Sequence, residues 1–171
     1  MKSRTRIAVL ILMIVALNIG CDQFTKEYAR KNIKDRGIIN LAGDFFVLVY
    51  VENDGAFLSM GSNIRQPYKT ILLMVFPLLV VIGSLIYLLL DKKLSIPKII
   101  CFSSIIGGGI SNIFERAVNN GFVTDFINFG IGNIRTGILN CADMSITFGV
   151  IFLLLFEYIE SRKAKKAVSD V

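Results

Sequence analysis

The sequence predicts an all-α integral membrane protein, with four transmembrane helices and a small extracytoplasmic β-sheet. Of its 171 residues, 54% are hydrophobic and only 19% are charged, and the mean hydropathy is +0.64. This composition is too apolar for an ordinary soluble domain. The apolar residues are gathered into four stretches, and the Lys and Arg residues cluster between them. We therefore expect a single polytopic membrane domain over residues 1–171.

Four stretches are candidates for crossing a bilayer, which takes about 20 apolar residues in a helix. The second carries no charge, and the fourth is apolar except for Asp143. In the third, Ser103, Gly107 and Ser111 recur at intervals of four, a spacing of small residues that permits close approach of a neighbouring helix. The predicted spans are residues 7–21, 70–90, 97–116 and 137–159.

The segments 22–69 and 117–136 are expected to lie outside the cytoplasm. Residues 24–35 resemble a short polar helix that could continue the first span. Residues 38–51 are rich in β-branched and aromatic residues and predict two short strands. An open sheet edge cannot lie in lipid, so this sheet should rest near the membrane surface. In the second segment, Asp125 is expected to follow a short loop.

The orientation follows from the basic residues, because Lys and Arg favour the cytoplasmic side. They precede the first span, separate the second from the third, and follow the fourth, so both termini should be cytoplasmic. The net charge of +6 is then explained by topology and by contact with anionic membrane lipids. No nucleic-acid-binding motif is present, and no nucleic acid partner is expected. The basic residues concerned are Lys2, Arg4, Arg6, Lys92, Lys93, Lys98, Arg162, Lys163, Lys165 and Lys166.

Polar residues gather at the outer ends of the predicted spans. Asn112 and Arg116 are four apart and share one helix face, and Asn140 and Asp143 are three apart on the next span. Asp125 lies between these two spans. Ionisable groups in membrane spans are costly and mark function by default. A purely structural polar cluster stays open as the alternative.

The residue types limit the chemistry of this cluster. The chain has no histidine, which removes Ser–His and Cys–His triads and the usual zinc sites. Two carboxyl groups facing each other across a water, one ionised and one protonated, could hydrolyse a peptide bond by an aspartic mechanism. An ion or proton carrier and a non-catalytic membrane scaffold remain open, and the sequence indicates no cofactor.

Four motifs in order resemble those of the lipoprotein signal peptidases, the type II signal peptidases of bacteria. They are "DQFTK" at 22–26, "NDGAF" at 53–57, "GGGISNIFERAVNNGFVTDFINF" at 107–129 and "LNCAD" at 139–143. The resemblance covers nearly the whole chain. It implies a four-span aspartic protease that removes the signal peptide from diacylglyceryl-modified prolipoproteins, cutting just before the lipidated cysteine.

The resemblance also implies roles for individual residues. Asp125 and Asp143 would be the catalytic pair. The chain departs from the usual family pattern at Phe57, Ser111, Glu115 and Leu139, where a small residue, Gly, Asp and an aromatic residue are usual. For Lys26, an interfacial lysine whose ammonium group reaches towards water is the alternative to a site role. The residues implied to support the site or bind substrate are Asn112, Arg116, Asn140, Asp22, Lys26 and Asn53.

Cys21 raises the possibility that the chain is itself a lipoprotein precursor, because a basic start and an apolar run precede it. However, Asn18 holds the position three before the cysteine, where Leu is preferred, and the residues after Cys21 belong to the first motif. We therefore expect residues 7–21 to be a retained span. The three cysteines, Cys21, Cys101 and Cys141, have no regular spacing and indicate neither a disulfide framework nor a zinc site.

Overall fold

The structure is a computed structural model that describes residues 4–56, 61–91 and 93–169. It has four long helices and a small antiparallel sheet, which confirms the predicted fold class. Each helix contains a stretch long and apolar enough to cross a membrane. The helices are α1 (Arg4–Asn32), α2 (Tyr68–Leu90, with one π-helical turn at Ile71–Val75), α3 (Ile96–Val118) and α4 (Cys141–Ser169). The strands are β1 (Ile39–Ala42), β2 (Phe46–Asn53), β3 (Val123–Ile131) and β4 (Ile134–Arg135).

Helix α3 is the central helix and packs against α1, α2 and α4. Its small residues allow this close packing, as the sequence predicted. A Cβ atom on Gly107 would lie 2.7 Å from Cβ of Asn18 in α1, and one on Gly108 would lie 2.6 Å from the carbonyl oxygen of Ala142 in α4. Larger side chains at these two positions would push the helices apart.

The four strands form an antiparallel sheet in the order β1-β2-β3-β4. The two strands predicted within residues 38–51 are confirmed as β1 and β2. A short loop at residues 119–122 precedes Asp125, as expected, but the sequence did not predict the strand on which this residue lies, β3. A β-bulge explains the difference: the N–H groups of Phe126 and Ile127 both donate to the carbonyl oxygen of Leu139, at 2.9 and 2.8 Å. Two apolar residues in succession break the alternation by which strands are predicted.

The sheet rests on the end of α1, which continues without interruption through the segment predicted as a short polar helix. Ala29 and Ile33 pack there against Phe126, Ile127 and Leu139. On its other side, the sheet borders an open cavity of about 840 Å³, lined by residues that include Val47, Val49, Val51, Asn53, Asp125 and Asn128. One side of the sheet therefore holds it to the helices, and the other is free to receive a ligand.

Candidate active site

Asp125 lies on β3, lines this cavity and is only 2% exposed. Its two carboxylate oxygens accept hydrogen bonds from side-chain amides, from Asn140 at 2.6 Å and from Asn53 at 2.8 Å. The bulge that joins β3 to Leu139 also sets the neighbouring Asn140 beside this carboxylate. Residues from β2 and from the segment before α4 thus fix Asp125 from two sides.

Asp143 lies in the first turn of α4, and Asn140 precedes that helix. The two residues cap the helix reciprocally: the Asp143 N–H donates to the Asn140 side-chain oxygen at 2.9 Å, and the Asn140 N–H donates to Oδ2 of Asp143 at 3.2 Å. Oδ1 of Asp143 accepts from the Asn112 amide at 2.9 Å. Because its Nδ2 also donates to Asp125, Asn140 bridges both aspartates.

The two carboxyl groups differ in their surroundings. Burial, together with the charge of nearby Asp143, raises the pKa of Asp125 to about 6, although the amides of Asn53 and Asn140 oppose this. Asp143 lies at a helix N-terminus, where the backbone N–H groups and the helix dipole favour a negative charge. The two carboxyl groups therefore lie in different electrostatic surroundings, as the acid and the base of a carboxyl pair must.

A second group of charged residues, which we call the Lys26 cluster, lies next to the aspartates and comprises Asp22, Lys26, Arg30 and Glu115. Lys26 is completely buried, and its Nζ forms ion pairs with Asp22 and Glu115, both at 2.7 Å. The alternative of an interfacial lysine reaching towards water is therefore wrong. Nζ also donates to Oδ1 of Asn112 at 2.8 Å, which directs the Asn112 amide towards the aspartate of α4.

Asp22 joins three helices. Its Oδ1 accepts from the backbone N–H of Ala142 at 2.8 Å, and its Oδ2 accepts from the Ser111 hydroxyl at 2.7 Å. The Ser111 hydroxyl thus forms a hydrogen bond within the site, although the family pattern usually has glycine at this position. Arg116 donates to the carbonyl oxygen of Gly55 at 2.7 Å, so it secures the segment that follows β2.

The family model described as Signal peptidase (SPase) II matches residues 14–159. The chain belongs to the signal peptidase II family. It is 34% identical to a lipoprotein signal peptidase of Streptococcus pneumoniae, over 91% of this chain and 94% of the relative. It is 31% identical to one of Borreliella burgdorferi, over 90% and 92%, and 30% identical to one of Francisella tularensis subsp. novicida, over 89% and 93%.

Solved structures support the same fold. Two bacterial membrane enzyme structures superpose on the chain with TM-scores of 0.76 and 0.72, at 21% and 23% identity. The alignments cover 89% of both chains in the first case, and 85% of this chain and 90% of the other in the second. Since the family is one of aspartic peptidases, this signal peptidase II is a membrane-spanning protease, and the carrier and scaffold interpretations are set aside.

Some residues that hold the site together were missed by the sequence reasoning. Glu115 had been considered only as a departure from the family pattern, yet it is 1% exposed and forms an ion pair with Lys26. Arg30 was not singled out, although it follows Asp22 and Lys26 at intervals of four on α1, a spacing that places all three on one helix face. Phe57, the remaining departure in the second motif, lies outside the described residues.

Proposed function

We propose that this signal peptidase II removes signal peptides from diacylglyceryl-modified prolipoproteins in the bacterial cytoplasmic membrane, cutting before the lipidated cysteine. The observation that carries the proposal is the pair Asp125 and Asp143, which Asn140 joins at the end of the membrane-spanning helices. The relatives named lipoprotein signal peptidase support the substrate class.

The proposed reaction uses both aspartates on one water. Ionised Asp143 takes a proton from the water, whose oxygen attacks the carbonyl carbon of the peptide bond, and Asp125 donates its proton to the carbonyl oxygen. When the tetrahedral intermediate collapses, the C–N bond breaks and Asp143 passes its proton to the leaving amine. Asp125 recovers its proton from a hydroxyl of the intermediate, so both carboxyl groups return to their starting states.

The shape of the site favours an extended apolar substrate segment. The cavity beside Asp125 is lined by Val47, Val49 and Val51 of β2, whose side chains offer an apolar surface. The side chains of Asn53 and Asn128 also line the cavity, where they hydrogen-bond to neighbouring groups of the protein. A signal peptide leaving the membrane in an extended conformation is such a segment.

In the proposed topology, both termini are cytoplasmic and the aspartates lie at the outer membrane surface, where exported precursors arrive. The basic residues at the opposite ends of the helices support this orientation. Reporter fusions at Lys34 and at the C-terminus test it. An externally active reporter at the C-terminus would reverse the orientation and move the site to the cytoplasmic side.

The reaction is tested by incubating the purified protein in detergent with a diacylglyceryl-modified prolipoprotein and identifying both products by mass spectrometry. We expect a mature product that begins at the lipidated cysteine, whereas the unmodified precursor should be cut far more slowly. Asp125→Asn and Asp143→Asn should each abolish cleavage, and the double variant should be no worse than either single one, because both groups act in the same step. Near-normal cleavage by either single variant would refute the aspartic mechanism.

A further inference from the structure

Glu115 connects the supports of both aspartates. It lies on α3, its side chain is 1% exposed, and its carboxylate reaches two other elements. Oε2 forms an ion pair with Lys26 of α1 at 2.7 Å. Oε1 accepts from the backbone N–H of Thr124 on β3 at 3.0 Å and also forms an ion pair with Arg30 of α1.

One of these contacts leads directly to Asp125. Thr124 is the residue before Asp125 on β3 and is completely buried. A hydrogen bond from its N–H to a carboxylate is charge-assisted and stronger than one to a neutral acceptor. It therefore fixes the depth and direction of β3 beside α3 at the point where the strand presents Asp125.

The other contact leads to Asp143 through two side chains. Lys26 Nζ, held by Glu115, donates to the Asn112 oxygen at 2.8 Å. That bond fixes which end of the Asn112 amide faces Asp143. As a result, Nδ2 of Asn112 donates to Oδ1 of Asp143 at 2.9 Å. If Lys26 moved, the amide could turn and present its oxygen to the carboxylate, which would repel it.

We propose that Glu115 is a positioning residue for the reaction: it sets the Asp125 strand through the Thr124 N–H and the Asp143 carboxylate through Lys26 and Asn112. This inference rests on the proposed function, because the two aspartates are taken as the reacting pair. Glu115 does not touch the substrate in this scheme. It acts only on the distance and direction between the two carboxyl groups.

Charge balance explains why an acid is required at this position. The Lys26 cluster contains two cations, Lys26 and Arg30, and two anions, Asp22 and Glu115. A neutral residue at position 115 would leave one positive charge in excess within the cluster, and of its two anions only Asp22 would still hold Lys26. The hydrogen bond to Asn112, which depends on the position of Nζ, would be weakened in consequence.

The test is the kinetics of Glu115→Gln, measured with a diacylglyceryl-modified lipopeptide on folded protein isolated by size exclusion in detergent. The amide keeps the volume of the side chain and an oxygen for the Thr124 N–H, but it loses the charge and the second oxygen, which pairs with Lys26. We expect kcat to fall about 10²-fold, the size of effect that a misplacement of about 1 Å can cause. KM should stay within about twofold, because substrate contacts are untouched.

Two further variants separate positioning from simple stabilisation. Glu115→Asp keeps the charge and should recover most of the kcat. Glu27→Gln is the matched control, because Glu27 also pairs with Arg30, at 3.3 Å, but lies on the exposed side of α1; its kcat should equal that of the wild type. A Glu115→Gln protein with lowered melting temperature but wild-type kcat in its folded fraction would overturn the inference and reduce Glu115 to a structural role.

If Glu115→Gln yields no folded protein, Arg30→Gln decides the question, because Arg30 is 31% exposed and its loss is easier to accommodate. A several-fold lower kcat at unchanged KM supports positioning through the cluster, and a wild-type kcat overturns it. A wild-type protein that does not cleave the lipopeptide would refute the proposed function and this inference together. If the wild type cleaves the lipopeptide and the Glu115→Gln and Arg30→Gln variants keep its kcat, only this inference is refuted.

Discussion

Two pairs of carboxylates lie side by side in this protein, all buried except the half-buried Asp143, and they differ in what surrounds them. Asp22 and Glu115 share the ammonium group of Lys26, with both ion-pair distances at 2.7 Å. Asp125 and Asp143 instead accept hydrogen bonds from side-chain and backbone amides of asparagine residues. One pair is neutralised by a cation in direct contact, whereas the other is held in place by uncharged donors.

The difference assigns separate tasks to the two pairs. A carboxylate in contact with a buried lysine is stabilised in its ionised form, so it serves as a fixed anchor. Amide donors hold a carboxylate in a defined geometry without cancelling its charge, so a proton can still be gained or lost. Burial and the nearby charge of Asp143 raise the pKa of Asp125 to about 6, so this carboxyl group can gain or lose a proton near neutral pH. We therefore expect the acid–base chemistry at the amide-bound pair.

The largest expected effect comes from removing the cation of the anchoring pair. Lys26→Met should lower the free energy of unfolding by about 3–5 kcal/mol, because it leaves two buried carboxylates without their shared partner. Lys31→Met is the matched control: Lys31 pairs with Glu27 at i,i+4 on the same helix, as Lys26 pairs with Asp22, but it is 71% exposed. Thermal unfolding in detergent measures both. Equal losses in the two variants would remove the distinction between an anchoring pair and a surface pair.

The next effect concerns the proton on Asp125. The folded protein holds this proton up to about pH 6, because the pKa of Asp125 is raised to about 6 from the ordinary aspartate pKa of 3.8. Between these two pH values the folded state therefore binds more protons than the unfolded chain. The free energy of unfolding should therefore fall as the pH rises through this window, by at most about 3 kcal/mol. Asp125→Asn lacks this loss, so its melting temperature relative to wild type should improve from about pH 4 to about pH 7.

Asp35→Asn serves as the control for this pH dependence, because Asp35 lies exposed in the turn after α1. Its melting temperature should follow that of the wild type across the same range. A wild-type protein that gains stability relative to Asp125→Asn as the pH rises would contradict the assignment of the proton to this carboxyl group.

Sequence patterns predicted the parts of the fold that follow from local composition. Long uncharged runs indicate membrane helices wherever they occur, and β-branched residues between Gly43 and the next turn indicate β2. Strand β3 escaped prediction because its bulge sets Phe126 beside Ile127 and disrupts the two-residue period. A two-residue alternation of apolar and polar residues can be found in a sequence only where the strand has a regular backbone.

The members of the candidate site were proposed from the sequence, but their connections were not. Asp125 and Asp143 were predicted as a pair because carboxyl groups are rare near membrane spans and because both match motifs that the resemblance supplies. The pairing of Glu115 with Lys26 and the Thr124 N–H depends on how α1, α3 and β3 converge, and no local pattern records that convergence. Only the spacing of Asp22, Lys26 and Arg30 on one face of α1 gave a signal for the cluster.

A smaller effect is expected at the amide that bridges the reacting pair. Asn140→Ala removes a donor to Asp125 and the side-chain cap of α4, so kcat should fall by about 10²-fold with little change in the amount of folded protein. Asn128→Ala is the matched control, because this amide lies in the same cavity but contacts the backbone of Thr136 and Gly137. A loss at position 128 as large as that at 140 would show that the cavity, rather than the bridge, limits the rate.

The smallest effect is expected at Cys141, the thiol nearest to the aspartates in sequence. A thiolate nucleophile needs a base or a positive site beside it. The Cys141 sulfur instead accepts a hydrogen bond from the Thr25 hydroxyl at 3.3 Å, and the residue packs against the apolar cluster under the sheet. Cys141→Ala should therefore keep most of the kcat, and thiol alkylation should leave the wild-type enzyme active. Inactivation of the wild type by an alkylating reagent, together with loss of activity in Cys141→Ala, would transfer the chemistry from the amide-bound carboxylates to the thiol.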